Sequence, residues 1–259
     1  MGSRRAVIIT TSVLVVVIGA MVAYGAWRVL SAAPNEVSLD AAVASLEEQG
    51  ASQPVTVEVA SDQLRVDVAG VTTVNTSNDG IWYVDSNSGS FTFDESSGSF
   101  VGFRVEEELA QIGSFTAVGR TGEIQGELLI EDGQLVQVLV SADLSAIVTN
   151  DSRRDRAARH ALNVSENPVA TFVLAGPVPL PETDDSTVSI EVLGRLTING
   201  IARDVPLVLD AQMVGNTIVV VGSMEVTFAD YDVTVPSAII VVSAEDHGIV
   251  EFQLLFTRG

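Results

Sequence analysis

Apolar and polar positions alternate along most of the chain after residue 79. In the stretch from Gly194 to Leu209, apolar side chains fall at Leu196 and Ile198; Asn199-Gly200 intervenes; then Val205, Leu207 and Leu209 share one face. Strict alternation is the pattern of a half-buried strand, and Asn-Gly between two such runs predicts a tight hairpin. The same pattern predicts strands over 81–84, 99–105, 123–130, 135–144, 170–174, 188–198, 204–211, 217–228 and 250–257, with turns at Asp132-Gly133 and Gly215-Asn216. Many short strands with regular turn signals predict an all-β sandwich or barrel. One short helix is expected in this region, from Arg153 to Leu162, started by Asp151 or Ser152 and ended before Pro168.

The alternation separates two faces. Ile124, Leu128, Ile130, Val136, Val138, Val140 and Leu144 share a face with Ile190, Val192, Leu196, Ile198, Val205, Leu207 and Leu209. Ile218, Val220, Met224, Val226, Phe228, Phe252, Leu254 and Phe256 continue it. The opposite face carries Gln125, Glu127, Gln137, Asp143, Glu191, Arg195, Asp210, Glu225, Glu251 and Gln253. The first face is an interior, either filled by its own side chains or lining an apolar cavity. If it lines a cavity, the candidates for apolar ligand contact are Val138, Val140, Ile190, Val192, Leu207, Leu209, Val220, Met224, Phe228, Phe252 and Leu254.

Before residue 79 the pattern differs. Arg4 and Arg5 precede a run from Ala6 to Val29 in which only Arg28 ionises. About 22 apolar residues span ~33 Å as a helix, enough for a hydrocarbon core of ~30 Å. The expectation is a transmembrane anchor over 1–30 with a cytoplasmic N-terminus, which places all that follows outside the cytoplasm. The competing reading is a cleaved leader with Ser31-Ala32-Ala33 as its cleavage site. Residues 31–78 are expected to form a stalk. Ser38 can cap a short helix with Leu39, Ala42, Val43 and Leu46 on one face and Gly50 ending it, and two extended segments follow at 55–59 and 64–68. The barrel domain is then 79–259.

Charge narrows the possible partners. The chain carries a net charge of −21, and all 34 acidic residues lie beyond Asn35, whereas Arg4, Arg5 and Arg28 lie before it. An acidic field of that strength argues against a nucleic-acid partner. There is no cysteine, which excludes disulfides and thiolate metal sites. His160 and His247 are the only imidazoles and lack a metal-binding spacing. No enzyme chemistry and no metal or other cofactor are expected.

Several segments, in order, resemble the YceI-like family: Ile81-Trp82-Tyr83-Val84-Asp85, Phe100 to Glu107, Val118-Gly119-Arg120-Thr121, Asp143-Leu144 followed by Arg154-Asp155, and Asn167-Pro168 with Ala170-Thr171-Phe172. The Gly194–Leu209 hairpin and the closing run from Phe228 to Leu254 extend the resemblance. Many members place His two residues after the Arg-Asp pair, where this chain has Ala157, so any role of that histidine does not carry over. The resemblance implies a lipocalin-like antiparallel β-barrel that binds an isoprenoid lipid, such as a quinone or a polyprenyl carrier, for storage or transport. The rival reading is a structural or protein-interaction barrel with a filled core.

Arg153, Arg154, Arg156 and Arg159 crowd the predicted helix. Two readings stay open. The helix is a brace pinned by salt bridges, with Asp155 and Arg159 paired at i,i+4. Alternatively Arg153, Arg156 and Arg159 form a clamp for an anionic lipid headgroup, since arginine forks match phosphate oxygens.

Overall fold

The computed structural model describes residues 33–52, 78–109, 113–181, 187–234 and 241–259; of these, the side chains of 50–52, 109, 153 and 241–244 are outside the description. The predicted anchor and the extended segments at 55–59 and 64–68 lie outside the described residues. Among the described residues no helix is long and apolar enough to cross a membrane.

Strands β1 (Gly80–Val84), β2 (Phe100–Leu109), β3 (Gly113–Thr121), β4 (Ile124–Glu131) and β5 (Gln134–Asp143) come first. They are followed by β6 (Val148–Thr149), β7 (Val169–Leu174), β8 (Val178–Pro179), β9 (Val188–Ile198), β10 (Ile201–Val214), β11 (Thr217–Thr227), β12 (Val241–Ala244) and β13 (His247–Arg258). All belong to one antiparallel sheet. Its path β1-β4-β5-β7-β9-β10-β11-β13 returns to β1 through the register Trp82↔Arg258 to Val84↔Phe256, so those eight strands close a barrel. The β2–β3 hairpin pairs with the earlier part of β13, over Ile249–Gln253, and extends the wall beside β1. Closure leaves the barrel strands without an open edge.

Local chemistry sets this register. Asn199 and Gly200 both have positive φ, 52° and 72°, and Asp132 and Gly133 have 48° and 71°. Two consecutive left-handed residues make the hairpin turn whose twist matches the flanking strands. The Asn199-Gly200 turn therefore fixes which parity of β9 and β10 faces inward. Beside Asp132-Gly133 the β4–β5 register shifts between Leu129 and Ile130, so Leu135, and not the expected Val136, joins Val138 and Val140 in the interior. The resulting interior packs Trp82, Leu128, Val140, Val192, Leu207, Val220, Phe252, Leu254 and Phe256 into one cluster.

The structure departs from expectation in several places. The described residues hold two α-helices, both where the sequence suggested one: α1 (Leu39–Ser52) and α2 (Ser152–Ala161). The first was expected as a marginal piece of stalk. Instead Leu39 and Ala42 are buried against Val219, Val221 and Leu255 on the barrel's outer wall, which supplies the packing a three-turn helix lacks alone. Strand β3 was missed because Val118 to Thr121 are all buried, which hides the two-residue period. Phe228 was expected inside the barrel. The strand ends at Thr227, the chain turns into a 3-10 helix over Phe228–Tyr231, and the Phe228 ring lies against Gly248.

Candidate functional site

A cavity of about 870 Å³ runs along the barrel axis. Ten of the eleven apolar candidates line it: Val138, Val140, Ile190, Val192, Leu207, Leu209, Val220, Met224, Phe252 and Leu254; Phe228 does not. They come from five strands, β5, β9, β10, β11 and β13, each contributing residues of one parity, so the strand registers aim every one of them at the same space. The lining residues that are exposed, Asn78, Pro181, Gly215, Asn216 and Arg258, all belong to one end of the barrel. That end is the mouth. The opposite end is closed by Leu196, Ile198, Val226 and Tyr231, with Leu162, Phe172, Met224 and Val250 packed against them.

Two inward-facing glycines keep the lumen open. Gly222 pairs directly with Phe252, and a Cβ at Gly222 would sit 2.5 Å from the Phe252 ring. Gly194 lies diagonal to Phe172, and its Cβ would sit 2.1 Å from that ring. Each phenylalanine therefore lies along the wall over a glycine, as aromatic–glycine pairs do across strands, instead of crossing the barrel.

The mouth is more polar than the shaft. Among the described residues Arg258 is the one charged member of the lining. Its guanidinium stacks over Trp82 at 4.9 Å, and Nη2 donates to the Asp79 carbonyl at 2.9 Å. Trp82 Nε1 donates to the Asn78 carbonyl at 2.9 Å. Asn78, Gln212 and Asn216 complete the rim. An apolar shaft with a polar rim suits an amphipathic ligand that enters tail first. Among the described residues the lining holds no carboxylate, histidine or serine, so they assemble no general acid–base pair or hydroxyl–imidazole couple there.

The expected headgroup arginines are elsewhere. Helix α2 leads into Leu162 at the closed end. Arg154 donates to Glu107 at 2.6 Å and stacks on Phe115 at 4.7 Å. Arg159 Nη1 donates to the Ile147 carbonyl at 3.0 Å, and the Asp155 carboxylate accepts from the Thr149 amide and hydroxyl rather than from Arg159. Arg156 is exposed, and neither it nor Arg159 lines the cavity. The Arg153 side chain lies outside the description. The contacts of α2 are those of a brace tying the β2–β3 hairpin to the barrel.

Sequence reasoning also placed Glu251 and Gln253 on a solvated face. Both are buried, Glu251 to 1 % exposure. Gln253 Nε2 donates to the Ser96 and Gly98 carbonyls. Glu251 sits between Arg104 and Arg120. Burial pushes the Arg120 guanidinium below its ordinary pKa, against the pull of Glu251. The other unexpected group is Tyr231, whose buried hydroxyl has no hydrogen-bond partner among the described residues; burial, then the Asp230 charge, raises its pKa. His247, half-buried, lies beside Asp246 at 3.1 Å and Glu245 at 3.2 Å. Among the described residues no group of His, Asp and Glu is arranged to hold a metal.

The YceI-like domain model matches residues 91–256. Solved structures with a similar fold include BcnA of Burkholderia cenocepacia, at 17 % identity over 66 % of this chain and 98 % of that one, with a TM-score of 0.48. A polyisoprenoid-binding domain from Saccharophagus degradans, implicated in plant cell wall breakdown, is 16 % identical over 62 % of this chain and 94 % of its own, with a TM-score of 0.50. The Campylobacter jejuni YCEI protein is 14 % identical over 54 % of this chain and 84 % of its own, with a TM-score of 0.44. No curated protein matches the chain.

Proposed function

The chain belongs to the YceI-like family, and on that premise we propose that it holds an isoprenoid lipid, a quinone or a polyprenyl carrier, in the barrel lumen for storage or transport outside the cytoplasm. The observation that carries the reading is the cavity itself: an apolar shaft, open at one polar end. The mechanism is shielding of a long apolar chain from water. Each buried CH₂ gains ~0.8 kcal/mol relative to water. A bilayer shields the same chain equally well, so transfer between membrane and barrel runs near balance. That suits a carrier better than a sink. The apolar stretch over 6–29 is read as the anchor that keeps the barrel at the membrane surface.

The depth of the shaft sets the length of ligand it covers. From Val250 at the inner end to Arg258 at the rim is eight residues, or ~26 Å along the strand. With the usual barrel tilt of ~40° that is ~20 Å along the axis. An extended isoprene unit, four C–C bonds of ~1.5 Å, advances about 5 Å. About four units fit extended, and a longer chain folds back or leaves its head at the rim. Mass spectrometry of lipid extracted from the purified protein tests the proposal. A co-purifying isoprenoid, displaced by added polyprenol, is the expected result. An empty barrel that also fails to take up polyprenol from vesicles refutes it and favours the structural reading.

A further inference from the structure

The most deeply buried charges lie on the outside of the barrel, and lipid binding does not use them. Glu251 on β13 accepts from Arg104 Nε at 2.7 Å through Oε2, and from Arg120 Nε and Nη2 at 2.9 and 2.7 Å through Oε1. Gly102 makes this possible. It pairs with Glu251 on one side and with Arg120 on the other, and a Cβ there would sit 2.7 Å from Arg120 Cγ. The arginine side chain thus crosses β2 to reach the carboxylate.

Two guanidiniums face one carboxylate, so one positive charge is left over under cover. The backbone of the N-terminal segment meets it. Arg104 Nη2 donates to the Pro34 carbonyl at 2.6 Å and to the Asn35 carbonyl, and Arg120 Nη2 donates to the Asn35 carbonyl at 2.7 Å. Every wall residue under α1, namely Val214, Val219, Val221 and Leu255, lies on the mouth side of the Glu251 row. The chain reaches the barrel at Pro34–Asn35 and runs from there toward the mouth.

We infer that Arg104, Glu251 and Arg120 form a docking clamp that hangs the barrel from its N-terminal segment with the cavity mouth directed away from the anchoring membrane. The inference rests on the anchor reading above. Four residue steps join Leu30 to Pro34, a reach of at most ~14 Å. Helix α1, with 14 residues, is about 21 Å long. Turning the mouth toward the bilayer would put α1 beneath the clamp and drive Glu47 and Glu48, both exposed near its end, into the lipid. Charge is costly there. The cavity therefore exchanges lipid with whatever approaches from the aqueous side and does not dip into its own membrane.

The absence of cysteine makes site-specific labelling clean. In the full chain, Ala202→Cys marks the closed end and Gln134→Cys the mouth end; both positions are exposed. Each labelled protein is reconstituted into phosphatidylcholine vesicles containing a rhodamine lipid. About 20 Å of barrel separates the two labels, so energy transfer from position 202 is expected to exceed that from position 134 several-fold. A flexible Gly-Ser linker between Ala33 and Pro34, which leaves the clamp intact, is expected to lower both signals and shrink their difference. Equal transfer, or stronger transfer from position 134, in protein that floats with the vesicles overturns the orientation alone. Protein that does not float overturns the anchor reading and the orientation with it.

Discussion

Substituting Glu251 by Ala tests the energetics of the outer wall. Glu251 is 1 % exposed, and its partners Arg104 and Arg120 are 9 % and 3 % exposed. The substitution leaves two guanidiniums under the N-terminal segment with only the Pro34, Asn35 and Phe93 carbonyls as acceptors. Breaking a buried pair by removing one partner costs ~3–5 kcal/mol, because the remaining charge stays desolvated. Total stability of a domain is ~5–15 kcal/mol, so this one change removes a large share. For a domain of this size each kcal/mol moves Tm by ~2–4 °C. The expected drop is therefore roughly 6–20 °C by circular dichroism. A cycle with Arg120→Met tests the assignment. Arg120→Met relieves part of the charge left by Glu251→Ala, so the double variant is expected to be more stable than the sum of the singles, by a coupling of ~0.5–3 kcal/mol. A loss below about 1 kcal/mol for Glu251→Ala, or strict additivity, would refute a desolvated triad.

Gly222→Val is expected to swing the Phe252 ring into the lumen, since even a Cβ there meets the ring at 2.5 Å; polyprenol uptake falls, at a cost of ~1–3 kcal/mol in denaturant unfolding. Gly133→Ala is its control: nothing lies within 4 Å of the new Cβ but φ is +71°, so stability falls by about 1–2 kcal/mol and uptake stays unchanged. Tyr231→Phe removes a buried hydroxyl that has no partner among the described residues and is expected to leave stability equal or raise it by about 1 kcal/mol; a clear loss would mean that the hydroxyl is satisfied. At Asp85, burial works to raise the pKa, but the Ser88 hydroxyl and the Asn87 and Ser88 amides more than offset it, so the net shift is downward from 3.8. A depressed carboxylate stabilises above its unfolded pKa and loses that contribution as pH falls through the folded value. The Tm gap between the wild-type chain and Asp85→Asn is thus expected to hold near neutral pH and to close below about pH 4; a gap that widens on acidification contradicts the sign.

Most of the strands and of the inward set were legible because they depend on a local period and on turns with a fixed chemistry. Asn199-Gly200 fixes the β9–β10 register, and one unbroken register decides the facing of a whole strand. After Asp132-Gly133 the shift between Leu129 and Ile130 breaks that parity, and Leu135 faces in where Val136 was expected. Phe228 obeys the same parity and still fails, because the strand ends one residue earlier at Thr227. Glu251 failed for a different reason. Alternation separates inside from outside, but it says nothing of what covers the outside. Residues 33–52 lie far from β13 in sequence, and only the closed barrel brings Pro34 and Asn35 against Arg104 and Arg120. The arginines of α2 looked like a headgroup site because clustered charge is visible in sequence, while the Glu107 carboxylate and the Ile147 carbonyl that engage two of them are not.

Whether the lumen is hollow looked undecidable from alternation, yet a signal for it was present. A filled barrel of eight strands needs large side chains at inward positions on opposite walls. Here Gly194 and Gly222 stand at inward positions in the middle of strands, where glycine weakens a sheet unless something uses the space. On the neighbouring strands stand Phe172 and Phe252, whose rings occupy the space of the missing side chains. An aromatic ring that lies along the wall does not reach the centre, and the remaining inward residues, mostly Val and Leu, are too short to meet there. The hollow therefore follows from pairing two phenylalanines with two glycines across the strands. The pairing becomes readable only once the β7–β9 and β11–β13 registers place each glycine beside its ring.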